Sequence, residues 1–168
     1  MACNLTAGFT LDCKDSVGGV KAIHLIDFAS TGFTVSGGEV TATTIASGSV
    51  YTYEMPKGVG SMTTTTNVST ENGTVFNQTD VVARLRKLAT TKRNELKLLA
   101  QNRVFCIVQD NNDAYWLVGK EYGCDITAMT SETGTAMGDN YGYNFTLSAI
   151  ESESPYKLQD SVVTALSI

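Results

Sequence analysis

The chain has 168 residues, a formal net charge of −5 and only 17% charged residues. That is long enough for one domain with a real core, and too acidic for a reader of DNA sequence, which needs a basic stripe to neutralise phosphates. No apolar run approaches the roughly 18 residues of a membrane span, so no membrane insertion is expected.

The start, MACNLTAGF, has neither the basic nor the apolar region of a secretory signal, so the chain is expected to be made and kept in a cytoplasm. GFTLDC (Gly8 to Cys13) alternates, with Phe9 and Leu11 on one face, and predicts a first strand. VKAIHLIDF (Val20 to Phe28) predicts a longer one. It sets Val20, Ala22, His24, Ile26 and Phe28 on one face and Ile23 and Leu25 on the other, so both faces should be covered. Gly37-Gly38 predicts a tight hairpin between Phe33–Ser36 and Glu39–Ala46. SVYTYEM (Ser49 to Met55) alternates up to Pro56, which cannot donate to a ladder, so that strand ends there or lies at a sheet edge.

Gly60 to Leu88 reads as one long, mostly polar hairpin. Its outgoing arm, Ser61 to Thr70, is rich in threonine, which suits a pleated, half-exposed surface and disfavours helix. Asn72-Gly73 predicts the turn, because both positions tolerate positive φ. The return arm alternates Val81, Ala83 and Leu85 against Val82, Arg84 and Arg86. A strand of a dozen residues rises roughly 40 Å, well beyond the common length. The distal half, TTTNVSTENGTVFNQT, has little of its own to bury. A partner is expected there, and another copy of the chain would serve.

TTKRNELKLLAQN (Thr90 to Asn102) carries helical spacing at Leu96, Leu99 and Ala100, and places a helix over 91–101. Thr90 or Thr91 is expected to cap it, and Asn102 to close it in the left-handed region. Val104 to Gln109 and Ala114 to Gly119 flank the turn DNND as the most apolar hairpin, with Trp116 expected in the core. CDITAM (Cys124 to Met129) and YGYNFTLSAIE (Tyr141 to Glu151) are further strands, and the residues after Glu153 read as an extended tail. The order predicts a mostly β fold: an antiparallel β-sandwich or barrel with one flanking α-helix and a long protruding β-hairpin. The domain is placed at 1–153 and the extended C-terminal tail at 154–168.

No catalytic residue stands out. His24, the one histidine, sits inside an apolar strand and reads as a packed side chain. Cys3, Cys13, Cys106 and Cys124 lack the clustering of a zinc site, and DNND lacks the spacing, glycine and distal glutamate of a calcium loop. The glycine-rich stretches lack the Gly-Lys-Ser/Thr step of a phosphate loop. No metal, cofactor or enzymatic activity is expected. A chance pairing of two acids across strands is the remaining route to a hydrolase. Charge is not evenly spread: Arg84, Arg86, Lys87, Lys92, Arg93 and Lys97 lie close in sequence, as a nucleic-acid patch, a solvated helix face, or a basic rim that would meet acidic turns of a neighbour, the last favoured by the acidic chain.

The long hairpin, the single amphipathic helix after it, the apolar hairpin Arg103 to Gly119 and the segment GTAMGDNYGYNFTLSAIESE together resemble the major tail tube proteins of tailed bacteriophages and the tube proteins of contractile injection systems. That resemblance implies a structural virion protein of the tail, assembled in the bacterial host cytoplasm. It implies homohexameric rings stacked into a tube, with the hairpin bridging to the adjacent ring and DNA passing through the lumen without specific binding. It also implies tape measure, terminator and baseplate or tip proteins as partners. Inter-ring or inter-subunit contacts are then expected at Thr66, Val68, Glu71, Asn72, Gly73, Val75 and Phe76 of the hairpin, and at Arg84, Arg86, Lys92 and Arg93 of the basic rim. The competing readings are a capsid decoration or fibre-like binding module, and a tail terminator or completion protein.

Overall fold

A computed structural model describes residues 7–29 and 32–168; Cys3 lies outside the described residues. The described strands are β1 (Val20–Asp27), β2 (Phe33–Ser36), β3 (Glu39–Thr43), β4 (Tyr51–Glu54), β5 (Ser61–Ser69), β6 (Thr74–Arg86), β7 (Val104–Asp110), β8 (Tyr115–Val118), β9 (Asp125–Glu132), β10 (Gly142–Glu151) and β11 (Tyr156–Leu158). Two helices join them, α1 (Thr90–Leu99) and α2 (Asp160–Leu166). The fold is a mostly β sandwich with no closed barrel. One sheet has seven strands in the order β2-β3-β11-β8-β7-β1-β4, and the other has four in the order β5-β6-β10-β9. All pairings are antiparallel except β3 with β11.

The middle of the seven-stranded sheet is buried on both faces, and one of its interior strands shows why. Along β7 (VFCIVQD) the apolar residues run without a polar break, the pattern of a strand covered on both sides. Val104, Cys106 and Val108 join the core between the two sheets, with Ile23, Leu25, Val81, Phe145 and Leu147. Phe105 and Ile107 face the other way, into a second core with Val40, Leu117 and Leu158. Helix α1 closes the first core through Leu96 and Leu99. Helix α2 closes the second through Val162 and Leu166.

Several expectations need correction. The tail after Glu153 is not extended: β11 inserts between β3 and β8, and α2 lies over the second core. Gly8 to Cys13 forms no strand, and Phe9 and Leu11 are fully exposed; alternation supplies a propensity, but no strand pairs with this segment. Val20 sits with Ile23 and Leu25 rather than with Ile26. The pairing of β1 with β7 shifts between Val20 and Ala22, and a bulge turns one residue onto the opposite face. Trp116 is half-buried, with its indole Nε1 donating to Asp110 Oδ2 at 3.3 Å; the central aromatic is Phe105, tilted against Phe28 and edge-on to Phe33. The start of α1 is flanked by Ala89, which offers no side-chain cap, and Asn102 does not take a positive φ.

The Gly37-Gly38 hairpin forms, with both glycines in the left-handed region. Strand β4, ended by Pro56, lies at the edge of its sheet.

Candidate assembly surface

The hairpin is built in two halves, and the boundary is the end of β10. Strand β5 pairs with β6 from Ser61↔Val82 out to Ser69↔Thr74. Strand β10 flanks β6 on its other side only from Gly142↔Arg86 to Glu151↔Asn77. Beyond Asn77 the sheet thins to a two-stranded ribbon, a form that is marginal alone in water. Inside that boundary Val81, Ala83 and Leu85 face the core. Toward it the core-facing positions turn polar and pair with one another. Thr64 and Thr79 share a hydroxyl hydrogen bond at 3.0 Å, and the Thr66 hydroxyl donates to Asn77 Oδ1 at 2.7 Å. Buried Asn77 then donates from Nδ2 to the Ser152 carbonyl at 3.1 Å, so the root of the ribbon is tied to the segment after β10.

Outside the boundary the ribbon's apolar side chains stay exposed among the described residues. Val68 and Val75 are direct cross-strand partners and are 64% and 56% exposed. Phe76, on the opposite face, is 39% exposed. The tip spans residues 70–73, with Glu71, Asn72 and Gly73 exposed. It is a four-residue loop rather than a two-residue Asn-Gly turn: only Gly73 has a positive φ, while the Asn72 N–H donates to Ser69 Oγ. The predicted contacts Thr66, Val68, Glu71, Asn72, Gly73, Val75 and Phe76 are therefore gathered in one protrusion.

Arg84, Arg86 and Lys92 lie at the other end of β6. Arg84 donates from Nε to Asn144 Oδ1 at 2.8 Å, and Asn144 Nδ2 passes the contact on to Glu132 Oε1 at 2.5 Å. Lys92 reaches back to the Arg86 carbonyl. Arg84 and Arg86 line a cleft of about 400 Å³ together with Lys57, Lys87 and Asp139. Asp139 accepts the backbone N–H groups of Ala136 at 2.7 Å and Thr135 at 2.8 Å, and these bonds hold its carboxyl below the usual range. Gly142 brings β10 tightly against β6 here, since a Cβ at that position would run into the Leu85 carbonyl oxygen. Arg93 stands apart, in a separate groove with Leu88, Leu96, Met129 and Tyr143.

An acidic group that the sequence did not single out sits at the root of the ribbon. Buried Glu151 accepts the backbone N–H of Glu121 at 2.6 Å and of Tyr122 at 3.3 Å. The Glu121 carboxylate takes the Ser152 hydroxyl. Burial raises the Tyr156 phenol, and the charges of Glu153, Glu121 and Glu151 raise it further. Lys57, Glu121 and Glu153 are brought to their places by strand pairing between distant segments, and no local pattern announces them.

The groups with chemical potential are quiet. His24 is buried, with Nδ1 2.9 Å from Thr52 Oγ1, and burial lowers its pKa. Cys13, Cys106 and Cys124 are free thiols. Burial pushes Cys106 up to about 12 and Cys124 well above its ordinary value, so neither supplies a thiolate near neutrality. Among the described residues no three His, Cys, Asp or Glu side chains converge as metal ligands, and no helix is long and apolar enough to cross a membrane.

What these residues assemble into is a surface with a projecting ribbon at one end and a cationic cleft at the other. Comparison with known proteins adds no relative: no family model, no curated protein and no solved structure matches the chain.

Proposed function

We propose that the protein is a non-enzymatic structural subunit of a bacteriophage tail tube, which polymerises as stacked homohexameric rings. The observation that carries this reading is the distal ribbon. Its apolar Val68–Val75 pair and Phe76 are exposed among the described residues, and a neighbouring copy would supply their cover. The four-stranded sheet supports it as well, because its two outer strands, β5 and β9, each have one unpaired edge. Joining β9 of one copy to β5 of the next removes both edges and closes a ring.

In that arrangement the outer face of the four-stranded sheet lines the lumen. Its middle carries Thr63, Thr65, Gln78, Thr146 and Ser148, with Asp80 as its charge. Arg84 and Arg86 continue the same face of β6 at one end, so only the middle of that wall is neutral to acidic and offers DNA phosphates little to bind. Tape measure, terminator and baseplate or tip proteins would meet the ends of the tube, in the virion tail.

Negative-stain electron microscopy over a concentration series tests the reading. Hollow rings or tubes with six subunits per turn are expected. A monomer at every concentration, also in the presence of tail-tip initiator proteins, would sink it and favour the decoration-module reading.

A further inference from the structure

We infer that the cationic cleft beside Arg86 binds a polyphosphate chain, either free or carried by a nucleoside. Such binding needs one chain only and is independent of tube assembly.

The cleft lies where the four-stranded sheet is incomplete. Strand β5 pairs with β6 only from Ser61↔Val82 outward, while β10 continues beside β6 to Gly142↔Arg86. Beside the stretch of β6 that β5 leaves unpaired, the turn before β5 contributes Lys57, and the loop before β10 contributes Asp139 and Tyr141. The space is about 400 Å³, within the range of small-molecule sites. Four cations line it, Lys57, Arg84, Arg86 and Lys87, against one carboxylate, Asp139. The Asp139 Oδ2 is already taken by the N–H groups of Thr135 and Ala136. Among the described residues the ion pairs are Lys21–Asp113 at 2.8 Å and Arg103–Asp125 at 3.9 Å, and neither involves the cleft. Arg84 is held rather than neutralised: its Nε donates to Asn144 Oδ1 at 2.8 Å, which leaves the terminal amino groups of its fork. In a chain of net charge −5, a concave group of uncompensated cations is a site for an anion from outside.

The backbone carries an independent sign. Lys87 has a φ of +65°, in the left-handed region that residues with a side chain rarely enter. Its own N–H holds it there by donating to the Tyr141 carbonyl at 2.8 Å. Backbone strain of this kind clusters at ligand sites, where the surroundings fix a side chain in place. The donor set selects phosphate. Arginine forks meet phosphate oxygens two bonds at a time, and lysines add point charge. A polyphosphate packs several negative charges into a short chain, and so answers four cations where a single carboxylate does not. A nucleic-acid strand is the poorer match, because its backbone needs a track of cations; beyond Arg84 the same face of β6 carries Val82 and Asp80. Tyr141 lines the cleft and is 50% exposed, so its ring is open to a nucleobase.

Equilibrium dialysis of the full chain against sodium triphosphate is the test, at about 50 mM salt and without divalent cations, which would mask the phosphate charge. One triphosphate bound per chain is expected. Arg86→Gln and Lys87→Gly, both at exposed positions, should each weaken binding on the order of ten-fold. Glycine removes the charge at position 87 and keeps the positive φ at no steric cost. Lys157→Gln makes the same loss of charge on β11 of the other sheet and should bind as the parent does. Circular dichroism checks that each variant is folded. ATP and adenosine separate the two sources. ATP held more tightly than triphosphate, with the gain lost in Tyr141→Ala, assigns the cleft to nucleoside polyphosphates. ATP held no better than triphosphate, with adenosine unbound, assigns it to the free chain. No binding at about 1 mM triphosphate, citrate competing as well as triphosphate, or parent-like affinity in both cleft variants would overturn the inference. A DNA oligonucleotide that displaces triphosphate at a lower phosphate concentration would give the cleft to nucleic acid and overturn it as well.

Discussion

Residues 66–76 and residues 156–166 are equal in length, and each carries a few apolar side chains among polar ones. Their fates are opposite. In the first, Val68, Val75 and Phe76 stand in solvent; in the second, Leu158, Val162 and Leu166 are buried in the second core. The difference lies in what flanks each backbone. Strand β10 stops beside Asn77, leaving the ribbon with no third strand. Strand β11 has β3 on one side and β8 on the other, which fixes where α2 must land. Burial is decided by the neighbours a segment is given, and a ribbon left without neighbours is available to another copy.

Removing the C-terminal segment should be the most damaging way to break this comparison. A chain ending at Ser154 loses Leu158, Val162 and Leu166 together. At about 2–5 kcal/mol for each large buried side chain, the loss rivals the whole stability of a typical domain. Loss of cooperative urea unfolding is expected, and a sharp native-like transition would show that the second core closes without α2. Leu166→Ala alone should cost about 2–5 kcal/mol in the same experiment; a change below about 1 kcal/mol would mean that the helix is only loosely seated.

A titration sharpens the same region. His24 lies on the face of β1 that looks toward Tyr115 of the second core, with ring centroids 5.9 Å apart. Burial holds its pKa below the ordinary value of about 6.5. The unfolded chain therefore takes up the proton first as pH falls. Stability should decline with falling pH across the window just below 6.5 and level off under the folded pKa. The slope can reach about 1.4 kcal/mol per pH unit at most. Urea midpoints across that window should show the decline in the parent and a flatter profile in His24→Gln. Equal slopes in both would assign the effect to other groups.

The smallest effect on stability should come from the ribbon. Excising residues 67–76 and rejoining Thr66 to Asn77 through Asn-Gly should alter unfolding by less than about 1 kcal/mol, while abolishing polymers seen by microscopy. A shortened chain that still forms normal tubes would end the ribbon's proposed role. A wider cut from Thr65 to Gln78 is a poorer experiment, because it removes Asn77 and its bond to the Ser152 carbonyl.

Much of the fold was legible because its signals are local. Alternation marked β1, β6 and β10, Gly37-Gly38 marked its turn, and Leu96 with Leu99 marked α1. The ribbon was legible for the same reason, since its polarity is continuous in sequence. The C-terminal segment was not, because α2 has seven residues and barely two turns give no periodicity to recognise. Its i, i+4 pair, Val162 and Leu166, was the available clue. Val20 was misassigned because a bulge is a property of a pair of strands and not of one. The cleft was invisible because Lys57 and Asp139 are joined to Arg86 only by the pairing of β6 with β5 and β10. Phe9 and Leu11 teach the converse, that a strand-like pattern needs a pairing partner.

The parallel pairing of β3 with β11 also sets an order of events when the chain folds. The two segments it joins are far apart, as the contact between Glu39 and Gln159, 120 residues away, makes plain. The hairpin β5–β6 closes over a four-residue loop and costs little chain entropy, whereas β3–β11 carries the largest loop-closure cost in the molecule. The second core is thus the late event. Until it forms, Phe105, Ile107 and Leu117 lie on an open sheet face, and the chain is adhesive in a way the finished fold is not. Pulse-labelled hydrogen exchange should find β6 protected before β3 and β11, and simultaneous protection would contradict that order. The speed of this final step, more than the stability it yields, then governs how much newly made chain escapes aggregation.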